Sequence, residues 1–273
     1  MGHSIHVRSP DFRFGPDIPR YWLADNVVAT HMFNGMNLVF PDGERFFIAA
    51  VRDCTPSALD PTLLREIRAF NAQEGHHARE HERYFAALEA QGYDLAPFLR
   101  RFRRFTRWST RRLPARLRLA LTAGAEHYTS SFGAFAFEDE MLERAHPTMR
   151  RLLLWHAAEE IEHKHVAFDV LRASHPSLAL RRFGFALSTI ELFGFSMYAT
   201  RQLIRQDLRA GRIDRARLRR DRRALRERQT QAARLLRERI RAYWRRDFHP
   251  GETNELPRAY ERLAEVGIRV ATP

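Results

Sequence analysis

Two Glu-x-x-His pairs, Glu74 with His77 and Glu160 with His163, constrain the fold of this chain more than any other feature. Each pair follows a further glutamate by 30 or 34 residues, and these glutamates are Glu44 and Glu126. Positions i and i+3 of a helix share one face, so each pair can direct a carboxylate and an imidazole at a single point. Four helices that supply Glu, ExxH, Glu and ExxH are the arrangement of ferritin-like bundles with a di-iron or di-manganese centre.

The hydrophobic periodicity predicts an all-α fold. Apolar residues recur at three- and four-residue spacing from Arg20 to Arg172, and strand-like alternation is scarce. Prolines and Gly92 set the helix ends: we expect helices that begin near Pro41 and that span Pro61 to Gln91, Pro114 to Glu143 and Pro147 to Ser174. The predicted architecture is a ferritin-like four-helix bundle in residues 1–175, with a C-terminal helical extension, residues 176–273, packed on it.

The two halves of the predicted bundle follow one pattern. Glu44 precedes Glu126 by 82 residues and Glu74 precedes Glu160 by 86, which indicates pseudo-twofold symmetry. The segment between the halves, Tyr93 to Arg112, is basic, aromatic and longer than a hairpin turn requires. A crossover connection explains its length.

Composition limits the class and compartment of the protein. The chain has 273 residues, and its 44% hydrophobic content is ample for a buried core. The single cysteine, Cys54, cannot form an internal disulfide or a thiolate metal site alone. The first 20 residues contain no apolar run typical of a signal peptide. These features favour the cytoplasm.

The predicted extension contains an apolar run and an arginine-rich segment. Phe183 to Thr200 has 18 residues and a single charged residue, Glu191. This length reaches the lower limit for a transmembrane helix. The carboxylate and several small polar residues favour a helix packed on the bundle over a membrane hairpin or an interfacial element. Arg205 to Arg246 has amphipathic spacing, and its interspersed acidic residues favour a solvated face over nucleic-acid binding. Peripheral contact with an anionic membrane is left open for these C-terminal helices.

The motif residues form a set of hard metal ligands: Glu44, Glu74, His77, Glu126, Glu160 and His163. Four carboxylates and two imidazoles suit iron or manganese, since glutamates can bridge two ions while each histidine binds one. Zinc suits the set less well, because structural zinc sites usually contain thiolates. Apolar neighbours predict that the glutamates are buried, and buried carboxylates require a cation. We expect two metal ions, with iron favoured over manganese or a mixed Mn/Fe pair.

Other polar residues near the motifs compete as ligands. His81 and His156 each lie one turn from a predicted ligand, so either can be an added ligand, a hydrogen-bond partner of one or a proton carrier. Glu159 replaces Glu160 if the helix register differs, and Asp169 is a further candidate for a hydrogen bond to the site. His76, His127 and His165 are expected at the surface or as satisfied core residues, and Glu162 is expected to be a bystander.

Five sequence blocks carry a resemblance to a known family: Phe40 to Phe47, Gln73-Glu74 with His77, Glu126-His127, Trp155 to Lys164 and Asp247 to Pro250. On these blocks the chain resembles the bacterial "predicted metal-dependent hydrolase" family, from about Ile5 to Tyr260. The resemblance implies a metal-binding, ferritin-like helical enzyme, and by analogy with helical di-iron proteins the six motif residues are its ligands. His249 is then expected either to cap the site or to lie in a turn before Pro250.

Three functions fit these patterns. The favoured one is O₂-dependent oxidation of an apolar or amphipathic small molecule, because the ligand set is rich in carboxylates. The second is hydrolysis of an ester, amide or phosphoester by a metal-bridging hydroxide. The third is a non-catalytic iron-binding or membrane-associated structural role, and a homodimer is left open. The sequence has no GxSxG elbow, Walker loop or GxGxxG, which argues against common serine hydrolases, P-loop enzymes and dinucleotide enzymes.

Overall fold

The structure, a computed structural model, describes residues 5–269 apart from the side chains of residues 227 and 229. Its α-helices are α1 (Val27–Asn37), α2 (Phe40–Cys54), α3 (Pro61–Ala90), α4 (Ala96–Arg112), α5 (Ala115–Phe137), α6 (Pro147–His163), α7 (Val166–Ser174), α8 (Leu178–Arg209), α9 (Arg215–Ala224), α10 (Arg226–Tyr243) and α11 (Leu256–Glu265). Short 3₁₀ turns cover Glu140–Arg144 and Pro250–Glu252. No strand occurs between residues 5 and 269, so the predicted all-α class is confirmed.

Local sequence signals at both ends of α3 explain why its span could be predicted. The Asp60 carboxylate accepts hydrogen bonds from the backbone N–H groups of Thr62 and Leu63, and Pro61 occupies the first turn. At the other end Gly92 adopts a φ of +84°, which favours glycine and ends the helix. The predicted and observed spans therefore agree closely.

The third predicted helix ends earlier than expected. α5 stops at Phe137 rather than Glu143, and a 3₁₀ turn follows. Asp139 begins that turn, because its carboxylate accepts a hydrogen bond from the N–H of Met141. The same carboxylate forms an ion pair with Arg228 of α10. The local cap is readable in the sequence, but the stabilising arginine comes from 89 residues away.

The fourth predicted helix is two helices. α6 ends at His163 and α7 begins at Val166, with a turn at Lys164 and His165. The Lys164 ammonium donates to the carbonyl of Thr253 and pairs with Glu255 at 2.6 Å. This interior lysine ties the end of α6 to the segment that leads into α11.

The four helices that carry the motif residues form a closed ring. α2 packs on α3 and α5, and α6 packs on α5 and α3. α4, which fills the predicted crossover segment, packs outside the ring on α2 and α5. The motif residues thus lie on four helices that all border one interior.

The apolar run of the predicted extension belongs to α8, which packs on α5 and α1. Two glycines let α8 approach α5 closely: a Cβ at Gly184 would lie 2.5 Å from the Ala120 backbone, and one at Gly124 would lie 2.8 Å from Phe185 Cα. Within the described residues, no helix is both long and apolar enough to cross a membrane. The expected packing of this run on the bundle is what the structure contains.

Candidate metal centre

The six predicted ligands converge inside the ring. They come from α2 (Glu44), α3 (Glu74, His77), α5 (Glu126) and α6 (Glu160, His163). None is more than 3% exposed to solvent. Residues separated by as many as 119 positions therefore share one buried interior, because the i and i+3 spacing turns both members of each pair toward it.

One half of the cluster surrounds His163. Its Nε2 lies 3.2 Å from Glu74 Oε1 and 3.2 Å from Glu126 Oε2. Glu160 Oε2 lies 3.5 Å from the same nitrogen. Ligand atoms of Glu74, Glu160 and His163 all fall within 4.8 Å of one another, which is a spacing that one metal ion can span.

The other half surrounds His77. Its Nδ1 lies 3.7 Å from Glu74 Oε1 and 3.7 Å from Glu160 Oε1. Glu44 completes a second group with Glu74 and His77, again within 4.8 Å. Glu74 and Glu160 therefore lie between the two imidazoles.

The polar atoms at the centre of the cluster lack hydrogen-bond partners among the described residues. These atoms are both carboxylate oxygens of Glu44, Glu74 and Glu126, Oε2 of Glu160, Nδ1 of His77 and Nε2 of His163. Leaving a buried polar group unsatisfied costs about 1–3 kcal/mol, and more for a charged group. Because these orphaned atoms all border one space and are hard oxygen and imidazole donors, the cluster is able to hold metal ions.

Electrostatics supports the same conclusion. Burial and then repulsion from neighbouring glutamates raise the pKa of Glu44 and Glu74 well above the ordinary range. Burial and Glu160 raise the pKa of Glu126 to about 7. Burial lowers the pKa of His163, but the Glu160 and Glu126 carboxylates raise it by more, so the pKa is well above its ordinary value. Ionised together, these carboxylates would carry more negative charge than the neighbouring imidazoles balance, and a bound cation would offset that charge.

A second layer of residues fixes which nitrogen of each imidazole faces the centre. His77 Nε2 donates to Glu159 Oε2 at 3.0 Å, so Nδ1 faces the carboxylates. His163 Nδ1 donates to Gln73 Oε1 at 2.9 Å, so Nε2 faces them. Such partners set the tautomer and orientation of metal-binding histidines. Glu159 is therefore a partner of His77 and does not replace Glu160.

The N-terminal segment closes this second layer. The Arg8 guanidinium donates to Glu162 Oε1 at 2.7 Å and to Glu159 Oε1 at 3.3 Å. Gln73 Nε2 also donates to Glu162 Oε2 at 2.9 Å. Glu162, expected to be a bystander, thus links Arg8 to Gln73. Neither Arg8 nor Gln73 was predicted as part of the site, because neither carries metal-ligand chemistry; only the position of Gln73, directly before Glu74, was a signal.

His156 and His81 extend the centre on one side. His156 Nε2 lies 2.8 Å from Glu160 Oε1, and its Nδ1 lies 2.6 Å from His81 Nε2. Phe40 packs against both rings. Both imidazoles also lie within 4.8 Å of Glu44 ligand atoms, so the three alternatives of added ligand, hydrogen-bond partner and proton carrier all suit this geometry.

The remaining candidates lie away from the centre. His76 bonds to the Arg8 carbonyl, the buried His127 bonds to the Arg239 carbonyl, and His165 pairs with Glu66. His249 caps the 3₁₀ turn at Pro250 and bonds to Asp169 Oδ1 at 3.0 Å. The turn is therefore the correct alternative for His249, and Asp169 bonds to this turn and to none of the six motif residues.

A narrow apolar cleft lies beside the centre, among α2, α4, α5 and α8. Its lining includes Phe46, Phe47, Phe102, Phe105, Leu121 and Leu192. Gly43 and Ala125, which directly precede Glu44 and Glu126, also line it. Glu191 is the one charged residue of the lining, and burial raises its pKa to about 7.

The fold and the site define an all-α protein with a buried carboxylate and histidine centre able to hold metal ions. The chain belongs to the predicted metal-dependent hydrolase family, whose sequence model matches residues 6–254. That range includes all six motif residues and the second-layer residues Arg8, Gln73 and Glu159. No curated protein and no solved structure matches the chain.

Proposed function

We propose that this protein is a metal-dependent hydrolase that cleaves an ester, amide or phosphoester at a two-metal centre. The observation that carries the proposal is the pair of ligand groups that share Glu74, one with His163 and one with His77. Membership of the predicted metal-dependent hydrolase family favours hydrolysis over other metal chemistry. The fully buried donor set favours a resident metal over a transient surface ion.

Within this proposal the protein side chains hold and orient the reacting groups. Glu44 and His77 would hold one ion, Glu126 and His163 the other, and Glu74 and Glu160 both. When bound, such ions supply a hydroxide nucleophile at neutral pH and polarise the carbonyl or phosphoryl oxygen under attack. The His156 imidazole contacts Glu160 through Nε2 and His81 through Nδ1, so it is placed to relay a proton by taking one up at one nitrogen while releasing another from the other nitrogen.

The surroundings of the centre favour a substrate with an apolar part. The lining of the cleft beside Glu44 and Glu126 is largely apolar and includes four phenylalanines and two leucines. Apolar clefts with few polar groups typically bind the hydrocarbon portion of a ligand. We therefore propose an ester or amide with an apolar or amphipathic body.

A second function, O₂-dependent oxidation by an iron pair, is favoured by one observation. The cluster has four glutamates to two motif histidines, and hard carboxylate-rich sets suit redox-active iron and manganese. The same apolar cleft would serve an apolar substrate of oxidation. The two reactions differ in their need for oxygen.

Anaerobic turnover separates these functions. Protein loaded with Mn²⁺, Fe²⁺ or Zn²⁺ is assayed without oxygen against carboxylic esters, amides and phosphoesters of graded chain length. Hydrolysis that a chelator abolishes and that the metal restores supports the proposal. Oxygen consumption by the reduced, iron-loaded protein, with no anaerobic hydrolysis of any substrate, would instead support oxidation.

Metal content provides the control for both functions. Glu74→Ala and His163→Ala are each expected to lose most bound metal and all activity, because each removes an atom from the centre. Glu89→Ala removes an exposed glutamate from the same helix as Glu74 and should bind metal like the parent. If both site variants kept parental metal content and fold, the metal centre itself would be refuted.

A further inference from the structure

The outer face of α4 is an unusually dense array of arginines. The helix has seven arginines and no acidic residue among its 17 positions. Six of these arginines are exposed: Arg100, Arg101, Arg104, Arg107, Arg111 and Arg112. Of the seven arginines of α4, only Arg103 forms ion pairs with the described residues, and its partners are Asp42 and Glu82. The exposed guanidinium groups therefore present positive charge that no acidic side chain in residues 5–269 neutralises.

α8 presents exposed apolar side chains beside this array. Phe183, Ile190 and Met197 are 55%, 69% and 45% exposed, and their seven-residue spacing places them on one face of the helix. Trp108 of α4 is 53% exposed. Exposed large hydrophobic residues in a row mark an interaction surface more often than single ones do.

Ring contacts place the two helices side by side. Phe102 and Phe105 of α4 lie 4.9 and 4.8 Å from Phe195 of α8, measured between ring centroids. The Arg101 guanidinium lies 5.1 Å from the centre of the Tyr198 ring, and Tyr198 follows Met197. The arginine array thus borders the apolar row. We call the combined surface of the six exposed arginines, Trp108, Phe183, Ile190 and Met197 the α4/α8 face.

We propose that the α4/α8 face docks on the surface of an anionic lipid bilayer. Arginines attract anionic headgroups, and each basic residue near the surface strengthens binding about fivefold, while apolar side chains enter the boundary between headgroups and acyl chains. Tryptophan is favoured at that boundary. Complementary charge together with a row of exposed apolar residues selects this partner over nucleic acid, which offers no apolar phase for Ile190 and Met197.

The proposal places membrane contact on a different surface from the arginine-rich C-terminal helices. α9 and α10 are also rich in arginine, but their acidic residues are interspersed, as at Asp221 and Glu238. Asp221 pairs with Arg217 at 3.7 Å. α4, in contrast, has no acidic residue. Charge alone would not distinguish these surfaces, so the test must compare them directly.

Vesicle sedimentation of the full chain tests the proposal. The protein is expected to bind vesicles of phosphatidylcholine mixed with phosphatidylglycerol, to bind phosphatidylcholine alone far more weakly, and to dissociate as salt is raised. The triple variant R104Q/R107Q/R111Q should bind the anionic vesicles on the order of 100-fold more weakly. The matched control R234Q/R237Q/R241Q removes the same charge from exposed positions of α10 and should bind like the parent.

The apolar row is tested separately. Ile190→Ser with Met197→Ser should weaken vesicle binding while leaving the circular dichroism spectrum unchanged, because both side chains are exposed. In a Trp244→Phe background, the emission of Trp108 should shift to shorter wavelength with anionic vesicles, since Trp22 and Trp155 are already buried. Equal loss of binding in the α4 and α10 triple variants would overturn the proposal, as would tight binding to duplex DNA that outcompetes the vesicles.

Discussion

At the scale of single residues, the orientation of the two imidazoles depends on Gln73 and Glu159. Each accepts a hydrogen bond from one ring nitrogen and so directs the other nitrogen to the carboxylates. Replacing residues in this role typically lowers metal affinity 10–100-fold. Within the proposed centre, replacing Gln73 or Glu159 should change metal affinity while leaving all six motif side chains in place.

We expect Gln73→Ala to bind metal about 10–100-fold more weakly than the parent, because His163 loses the acceptor that fixes its tautomer. Competition with a chromogenic chelator measures the dissociation constant of the metal. Glu89→Ala, exposed on the same helix, is the control and should be unchanged. Parental affinity in Gln73→Ala would remove Gln73 from the site.

The pH dependence of metal binding follows from the raised carboxylate pKa values. Burial and Glu160 raise the pKa of Glu126 to about 7 in the metal-free protein, above its ordinary value of 4.5. A raised folded-state pKa contributes stability that is present below the unfolded pKa and is lost as pH rises through the folded pKa. The metal-free protein should therefore lose stability from this group between pH 4.5 and about 7.

Because ligands must lose their protons to bind metal, the gain in Tm on metal addition should be large above pH 7 and should shrink as pH falls below it. Differential scanning fluorimetry with and without metal across this range measures the gain. Calorimetry in buffers of different ionisation enthalpy should also report proton release on binding. A gain in Tm that is constant with pH would contradict carboxylate ligation by Glu126.

The identities of the six central residues could be predicted because helical periodicity converts sequence spacing into shared direction. Arg8 could not be predicted, since its contact with Glu162 joins positions 154 residues apart and depends on how the N-terminal segment crosses α6. For His156 the sequence predicted three alternative roles and could not choose among them. Its contact with Glu160 is local to α6, but its contact with His81 depends on the distance between α3 and α6.

At the scale of the helices, the close crossing of α5 and α8 positions Glu126. Gly184 has the Ala120 backbone 2.5 Å from where its Cβ would lie, and Gly124 lies two residues before Glu126. Backbone atoms cannot move aside as a flexible side chain can. A side chain at either glycine must therefore push the two helices apart.

We expect Gly184→Ala to destabilise the protein by about 1–3 kcal/mol through overpacking and to weaken metal binding by displacing α5. Gly194→Ala on the same helix is the matched control, because nothing lies within 4 Å of its Cβ position. That control should gain about 0.5–1 kcal/mol, since alanine favours a helix interior more than glycine does. Urea unfolding measures both, and equal stability of the two variants would exclude a tight crossing.

The helix boundaries show where local sequence was insufficient. The predicted amphipathic helix from Arg205 to Arg246 is three pieces, because Gly211 adopts a φ of +65° and Asp214 caps α9 by accepting from the N–H of Arg217. Both signals are local and readable. The break between α6 and α7 is not, since Lys164 is held there by Thr253 and Glu255 from a distant segment.

At the scale of the whole molecule, the segments around Phe12 and Ile268 pack in the same hydrophobic core as α6, which carries Glu160 and His163. One hydrophobic core includes Phe12 near the N-terminus and Ile268 near the C-terminus. Phe12 packs on Trp155 of α6, whose ring also lies 4.8 Å from that of His77. The N-terminal segment therefore supports the α6 side of the centre, through apolar packing at Phe12 and through charge at Arg8.

Arg8→Met should destabilise the protein by about 3–5 kcal/mol, because removing one partner leaves the buried carboxylates of Glu159 and Glu162 without this guanidinium. The double variant Arg8→Met/Glu162→Gln should recover part of that loss, since the amide carries no charge to compensate. Urea unfolding of the four proteins of this cycle gives the coupling free energy. Metal affinity should fall in Arg8→Met as well, because Glu159 also orients His77. If stability fell while affinity stayed parental, Arg8 would support the fold but not the metal centre.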